Sequence, residues 1–357
     1  MQIKLQGKCG VVGENRMEKI KLTDICNPKQ WKTIPTSELL ENGYPVYGAN
    51  GIIGYYSEFN HKNPVITVTC RGATCGTINI TVPKSYVTGN AMCLDDMRSD
   101  IYMEYLYYCL KHYNFNNVIS GSAQPQITRQ GMEKIYVTIG SHNEQMDIVD
   151  KLKKVENVIG LRKRELKQLD TLVKSRFAEM FGDPIRNPKG WKVVTIGDIV
   201  TEVRYGTSKP AVEGGKYPYL RMNNLTADGH LDLNDLKYID ISDDEVEKCV
   251  VRKGDVLFNR TNSIDLVGKT AVFDLQDDMV IAGYIIRVRL NEKILPEVLS
   301  QYMNLEALKD ILRSMAKGAV NQANINAQEL QSIRVYVPDI ELQKQFVEMK
   351  DQVDKSK

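Results

Sequence analysis

A heptad pattern over residues 145–180 constrains the fold of this chain more than any other feature of its sequence. Apolar residues recur every seven positions, and most positions three residues later are apolar too, which is typical of a coiled-coil seam. The helix would be about 50 Å long, and it cannot bury such a stripe alone. We therefore expect it to pack against another long helix, from this chain or from a partner. The expected seam residues are Ile148, Leu152, Val155, Ile159, Leu166, Leu169, Val173 and Met180.

The composition is that of an ordinary globular protein of two or three domains, with 357 residues, 42% hydrophobic and 26% charged. No apolar run approaches the ~20 residues of a membrane span, and no secretory signal is visible, so we expect a cytoplasmic protein without a membrane partner. The seven cysteines form no CxxC pair, which favours reduced thiols, and the four histidines show no metal-ligand spacing. We expect no metal site. A net charge of +2 does not by itself indicate a nucleic-acid partner.

Short strand patterns with Gly and Asn turns surround the helix and predict α+β structure on both sides of it. We assign residues 17–140 to a first α+β arm, 141–182 to the central helix and 183–340 to a second α+β arm. Residues 341–357 begin a second helix that looks shortened. Residues 1–16 look detached from the rest, as a leader or a remnant of a cloning vector would, and receive no function.

The two arms repeat each other in sequence, in the same order and with nearly the same spacing. We therefore expect two similar arms at opposite ends of paired antiparallel helices, an arrangement with pseudo-two-fold symmetry. Such an object suits the reading of two marks on one polymer, because the helix exceeds the roughly 34 Å of one DNA turn. The clearest matches pair residues 68–71 with 257–260, 124–127 with 322–325, and 143–145 with 341–343.

The sequence MFGDPIRNPKGW at residues 180–191, which follows the heptad helix, resembles the junction found in specificity (S) subunits of type I restriction–modification enzymes. The Gln-x-x-Ile element before each helix and the doubled arm–helix order are similar too, and the resemblance covers residues 17–357. It implies that the arms are target recognition domains that read the two parts of a bipartite DNA sequence. It also implies that the helices form an antiparallel coiled coil that sets the gap between those parts.

The second helix departs from the family pattern, because only a short stretch follows Asp339. The seam around Leu166, Val173 and Met180 is therefore expected to be exposed, or covered by a second copy or another subunit. Self-association through this seam is one hypothesis.

The resemblance further implies a non-catalytic chain that binds double-stranded DNA, two methyltransferase (M) subunits and restriction (R) subunits. S-adenosylmethionine, ATP and Mg²⁺ then belong to the partners, and this chain holds no cofactor. The absence of catalytic motifs agrees, since no Asn/Asp-Pro-Pro-aromatic tetrapeptide occurs and the nearest phosphate-loop pattern, residues 263–270, has Ser263 in place of its first glycine. The alternative function is a coiled-coil scaffold whose tandem arms bind protein and never touch DNA.

Candidate DNA contacts are basic and amide side chains on turns inside the arms, because arginine suits guanine while asparagine or glutamine suits adenine. Arg71 and Arg260 rank highest, since the repeat suggests equivalent positions for them, although a shared position can also indicate a scaffold role. No catalytic residue is expected. The full set is Arg71, Lys84, Asn90, Gln124, Gln126 and Arg129 in the first arm, and Arg204, Lys209, Arg221, Asn223, Asn224, Asn259, Arg260 and Lys269 in the second.

Overall fold

The chain divides into two compact units, Met1–Gly160 and Leu161–Lys357. Each unit combines helices with small sheets, which confirms the predicted α+β class. The leader predicted over residues 1–16 lies outside the described residues. The computed structural model describes residues 17–121, 124–319 and 322–357.

The first unit contains a four-stranded antiparallel sheet, a three-stranded sheet and two strand pairs. Its strands are β1 (Glu18–Lys21), β2 (Asn27–Gln30), β3 (Tyr44–Gly48), β4 (Gly51–Tyr56), β5 (Ile66–Thr69), β6 (Ile78–Ile80), β7 (Tyr86–Val87), β8 (Ala91–Asp95), β9 (Ile119–Ser120), β10 (Gln126–Ile127) and β11 (Tyr136–Ile139). Its helices are α1 (Leu22–Ile25), α2 (Met103–His112), α3 (Arg129–Met132) and the start of α4 (His142–Phe181).

The core of the first unit forms between β5 and α2. The β5 sequence Ile-Thr-Val-Thr is β-branched throughout, which favours an extended strand, and all four residues are buried. Leu106 and Leu110 are four residues apart on α2 and therefore lie on one face of the helix. They are fully buried in the cluster that contains Ile66 and Val68.

The second unit contains two four-stranded sheets, a three-stranded sheet and one strand pair. Its strands are β12 (Lys192–Thr195), β13 (Val200–Tyr205), β14 (Tyr217–Leu220), β15 (Lys237–Ile239), β16 (Val250–Val251), β17 (Val256–Asn259), β18 (Thr261–Asn262), β19 (Thr270–Val272), β20 (Met279–Ile281), β21 (Ile285–Leu290), β22 (Lys317–Ala319), β23 (Gln322–Asn324) and β24 (Arg334–Val337). Its helices, besides the end of α4, are α5 (Asp243–Cys249), α6 (Pro296–Met303), α7 (Glu306–Met315), α8 (Ala327–Ser332) and α9 (Ile340–Lys355).

The two units share the order of one four-stranded sheet and the pairing of their first and last strands, which gives the predicted internal repeat a structural basis. The sheet β2-β8-β5-β6 corresponds to β13-β21-β17-β19, and the antiparallel pair β1–β11 corresponds to β12–β24. Parallel pairing of β3 with β7 is matched by that of β14 with β20. Each closing strand, β11 or β24, leads directly into a helix, α4 or α9.

One repeat match from the sequence is shifted by one residue in the structure. The Ile127 amide donates to the Cys70 carbonyl at 3.0 Å, and the Ile325 amide donates to the Arg260 carbonyl at 2.9 Å. The equivalent of Arg260 is therefore Cys70, and the prediction that Arg71 is its equivalent is wrong. The sequence match was aligned on the two identical arginines, whereas the backbone hydrogen bonds define the register of the fold. A shift of one residue moves a side chain to the opposite face of the strand.

A buried glutamine attaches α4 to the first unit. Gln145 is 1% exposed, and its Oε1 accepts a hydrogen bond from the Tyr102 amide at 2.8 Å. Its Nε2 donates to the Asp100 and Gly140 carbonyls, each at 3.0 Å. One side chain therefore provides hydrogen-bond partners for three backbone groups at the starts of α4 and α2.

Gln343 makes the same attachment at the start of α9 in the second unit. It is 0% exposed, and its Oε1 accepts from the Leu295 amide at 2.8 Å. Its Nε2 donates to the Lys293 carbonyl at 3.0 Å and to the Pro338 carbonyl at 2.8 Å. The repeated sequence at the two helix junctions thus encodes the same hydrogen-bonded joint.

The helix predicted over residues 145–180 is a single helix of 40 residues, α4, about 60 Å long. Apolar side chains in the middle of α4 are exposed, with Val155 at 55%, Val158 at 63% and Leu161 at 51%. Of the expected seam, Leu152 and Ile159 are also exposed, while Ile148, Leu166, Leu169 and Met180 are half-buried. No helix within the described ranges is both long enough and apolar enough to cross a membrane.

The C-terminal part of α4 is covered by α9, so the expectation of an uncovered or externally covered seam there is wrong. Val173 is only 5% exposed, and Phe177 packs edge-on against Phe346 of α9 with ring centroids 5.2 Å apart. Although α9 has only 16 residues, it is about 24 Å long and runs antiparallel to α4. The Arg162 guanidinium consequently reaches the Lys357 carbonyl at 3.1 Å.

Candidate functional site

Four of the predicted DNA contacts of the second unit line one open cavity with a volume of about 550 Å³. They are Lys209, Arg221, Asn223 and Arg260, and Tyr284 completes the wall. Arg221 follows β14, Arg260 follows β17 and Tyr284 precedes β21, so each stands where a strand ends. Strand ends bring these residues together although they are far apart in sequence.

Arg260 is the cation of this cavity that has no acidic partner. Its guanidinium carbon lies 4.9 Å from the ring centroid of Tyr205, and its Nη1 donates to the Gly283 carbonyl at 3.3 Å. Among the described residues it forms no ion pair, and its buried Nε has no hydrogen-bond partner. By contrast, Arg204 lies outside the cavity wall and donates from Nε to Glu202 at 3.0 Å.

Lys209 and Arg221 carry their charge in ion pairs at the rim of the cavity. Lys209 Nζ lies 2.5 Å from Glu245, and hydrogen bonds from Lys209 and Thr207 lower the pKa of that carboxyl. Arg221 Nη2 lies 2.7 Å from Asp235. Because exposed ion pairs contribute about 0–1 kcal/mol, an incoming anion can compete for both cations at small cost.

Three other candidates of the second unit are structural, because their polar atoms are buried and satisfied by the fold. Asn224 is 2% exposed and accepts from the Arg221 amide at 2.8 Å, while Asn259 is 0% exposed and donates to the Thr261 carbonyl at 3.2 Å. Lys269 is 8% exposed and donates from Nζ to the Met222 carbonyl at 2.8 Å. Burial lowers the pKa of Lys269.

In the first unit, three candidates lie together on two paired segments. Arg71 forms a bridge with Gln126, and the Gly72 amide donates to the Pro125 carbonyl at 3.0 Å. Gln124 is adjacent to this pairing, and the side chains of Arg71, Gln124 and Gln126 are exposed. The first unit therefore presents a positive charge flanked by two amides.

The other three candidates of the first unit stand elsewhere on it. Arg129 opens α3 and donates from Nη2 to Asn27 Oδ1 at 3.3 Å. Lys84 is exposed in a turn with a left-handed backbone, φ 55°. Asn90 is half-buried, and its carbonyl accepts from the Cys70 amide at 3.1 Å.

Comparison with known families decides what these two units are. A profile described as the type I restriction modification DNA specificity domain matches residues 14–171 and again residues 188–357. The chain belongs to this family. The internal repeat is thus two copies of one specificity domain.

Curated relatives and solved structures agree with the family. A candidate type I restriction enzyme MjaX specificity subunit of Methanocaldococcus jannaschii is 30% identical over 171 residues, which are 47% of this chain and 40% of that protein. The EcoKI specificity subunit of Escherichia coli is 24% identical over 273 residues, 71% of this chain and 59% of that protein. The chain thus spans about half the length of these curated relatives.

Two solved structures share the fold of the specificity domains. The S subunit of a type I system from M. genitalium aligns over 99% of this chain and 93% of its own, with a TM-score of 0.56 and 15% identity. A chain from a structure of a type I restriction–modification system aligns over 95% and 90%, with a TM-score of 0.55 and 20% identity.

A cluster that the sequence did not indicate joins His61, Cys93 and Asp95, whose ligand atoms lie within 4.8 Å of one another. His61 Nε2 is 3.0 Å from Asp95 Oδ1, and its Nδ1 is 2.7 Å from Asn60 Oδ1. Trp31 Nε1 donates to the second carboxylate oxygen at 3.0 Å. Burial raises the pKa of the Cys93 thiol, which favours the neutral form. The hydrogen bonds give this cluster a structural role, and the absence of a metal site stays a prediction.

The sequence did not indicate two exposed tyrosines at this site. Tyr284 is 50% exposed and lines the cavity, whereas Tyr205 is 43% exposed and its ring contacts the Arg260 guanidinium. An exposed tyrosine at a strand end was the available signal, but it becomes meaningful only once the fold brings it beside an arginine.

Proposed function

We propose that this chain is the DNA-reading subunit that directs type I methyltransferase and restriction subunits to a bipartite target. The observation that carries the proposal is the duplication itself. Two specificity domains share the order of one four-stranded sheet, and each leads into a helix through the same buried glutamine, Gln145 or Gln343. Two related domains on one chain suit two recognition sequences on one duplex.

In this proposal residues 17–140 and 183–340 are the two target recognition domains, and residues 141–182 are the spacer. The exposed polar residues differ between the domains, with Arg71 and its neighbouring amides in one and the cavity around Arg260 in the other. The two parts of the target therefore differ in sequence. The length of α4, about 60 Å, exceeds the roughly 34 Å of one turn of DNA, which accommodates an unread gap.

The proposed partners are double-stranded DNA, two methyltransferase subunits and restriction subunits, acting in the cytoplasm. S-adenosylmethionine, ATP and Mg²⁺ are assigned to those partners and no cofactor to this chain. The exposed apolar side chains of α4 around Val158 support a protein-binding role for its middle. A methyltransferase subunit or a second copy of the chain would cover them.

A binding assay with the assembled methyltransferase tests the proposal. The chain is co-purified with the methyltransferase subunit of its operon and titrated onto labelled random-sequence duplex at several salt concentrations. Binding with an affinity that falls steeply with salt is expected, because phosphate contacts release counterions. An intact assembly that binds no DNA at about 50 mM salt would overturn the proposal and favour the protein-binding scaffold.

A further inference from the structure

We propose that Arg260 reads a guanine in the half-site bound by the second unit, and that the first unit makes no such contact at the corresponding position. The inference rests on the proposed function and adds the base and the residue. It depends on a comparison of one backbone position that the two units share, Cys70 in the first unit and Arg260 in the second, which we call the node. The side chains at and around the node differ between the units.

The backbone of the two nodes is equivalent. The Cys70 amide donates to the Asn90 carbonyl at 3.1 Å, just as the Arg260 amide donates to the Tyr284 carbonyl at 2.9 Å. Together with the bonds that Cys70 and Arg260 accept from the Gln-x-x-Ile segments, these contacts fix both residues in one position of the repeat. The repeat therefore holds the backbone constant and varies the side chain.

The side chains around the node differ in charge and shape. In the first unit, Gln30 Nε2 donates to Cys70 Sγ at 3.0 Å and to the Gly89 carbonyl at 2.8 Å, which closes a small neutral cluster. In the second unit, Tyr205 occupies the strand position of Gln30, and its ring supports the Arg260 guanidinium at 4.9 Å. The second node is thus cationic and larger.

The surroundings of Arg260 suit a base contact. A guanidinium stacked on an aromatic ring loses less freedom on binding than a flexible one, and its planar fork matches the O6 and N7 acceptors of guanine. Its charge is not neutralised by an ion pair within the described residues. Lys209 and Arg221 at the cavity rim have displaceable acidic partners and therefore suit the phosphates that flank a base.

A phosphate contact by Arg260 is the competing explanation, and it predicts a different result. Loss of a phosphate contact weakens binding by a similar factor on every sequence and reduces the salt slope by about one, without changing the motif. Loss of a guanine contact relaxes one base of the motif and leaves the remaining bases unchanged.

The experiment determines the methylated motif in host cells that produce the methyltransferase together with one of four chains: the unaltered chain, Arg260→Gln, Arg260→Lys or the control Arg252→Gln. The control removes a partly exposed arginine of the same unit that pairs with Glu247 and Asp278 and lies outside the cavity. With the unaltered chain and the control, replacing one guanine of one half-site should reduce methylation by about tenfold or more. With Arg260→Gln, replacing the same guanine should reduce methylation by less than about threefold. The bases required in the other half-site should not change.

An unchanged motif with both Arg260 variants overturns the inference and leaves the proposed function standing. If the motif is unchanged but a smaller fraction of all its sites is methylated, Arg260 contacts a phosphate, and the inference is overturned as well. Methylation that does not depend on this chain overturns the proposed function instead. Arg260→Lys keeps the charge and serves if Arg260→Gln fails to co-purify with the methyltransferase, since lysine cannot supply the bidentate fork.

Discussion

Replacement of Gln145 by alanine should selectively destabilise the joint between α4 and the first unit. The substitution removes the three hydrogen bonds that Gln145 makes with the Tyr102 amide and with the Asp100 and Gly140 carbonyls, of which the Asp100 carbonyl keeps a contact with His142 Nδ1 at 3.3 Å. A typical hydrogen bond contributes about 1 kcal/mol net, and a buried group left unpaired costs about 1–3 kcal/mol. We therefore expect a loss of about 3 kcal/mol in the free energy of unfolding. The corresponding Gln343→Ala change should act on the second unit.

Pulse-labelling hydrogen exchange along a urea series, read by mass spectrometry, measures this effect for peptides of the first unit. With a urea dependence of about 2 kcal/mol per molar, a loss of about 3 kcal/mol lowers the midpoint by about 1.5 M. Gln130→Ala is the matched control, because Gln130 is exposed on a short helix of the same unit. A midpoint for Gln145→Ala equal to that of the control would refute the assignment of the joint to this side chain.

Three further results are expected. Gly206→Ala should unfold the second unit at lower urea, because a Cβ there would overlap the Ile281 carbonyl, and circular dichroism against urea measures this. Burial lowers the pKa of Lys309 from 10.5 to about 8, so this side chain holds more protons in the unfolded chain between these values, and its own contribution to stability should rise with pH across that window. Lys309→Met should remove this rise in urea unfolding at a series of pH values. Val158→Glu should leave the fold intact and weaken association through α4, measured by light scattering and by co-purification with the methyltransferase, whereas unchanged association would contradict a binding role for this face.

The heptad pattern predicted the extent of α4 well, because a helix of that length has a strong periodic signal. It could not predict which part of the helix is covered. Val158 and Leu161 lie outside the expected seam and are exposed, whereas Phe177 and Phe181 also lie outside it and are fully buried. Periodicity marks an apolar face, but only the position of α9 decides where along the helix that face is buried.

The second-unit cavity could be predicted in part. The search for basic residues on turns selected Lys209, Arg221 and Arg260, which the fold brings to one cavity, and their contact with DNA stays a prediction. The same criterion included Asn224 and Asn259, which are buried, because an asparagine in a turn binds the backbone as readily as it binds a ligand. The register of the repeat could not be predicted from the sequence either, because it depends on backbone hydrogen bonds.

The most direct test of the central claim is the methylated motif in cells that carry the intact operon, compared with cells from which only this chain is deleted. If two related domains each read one part of the target, the motif will contain two different specific parts separated by unspecified bases. It will also disappear with the chain. A single contiguous motif, or a motif that persists without the chain, would contradict the account.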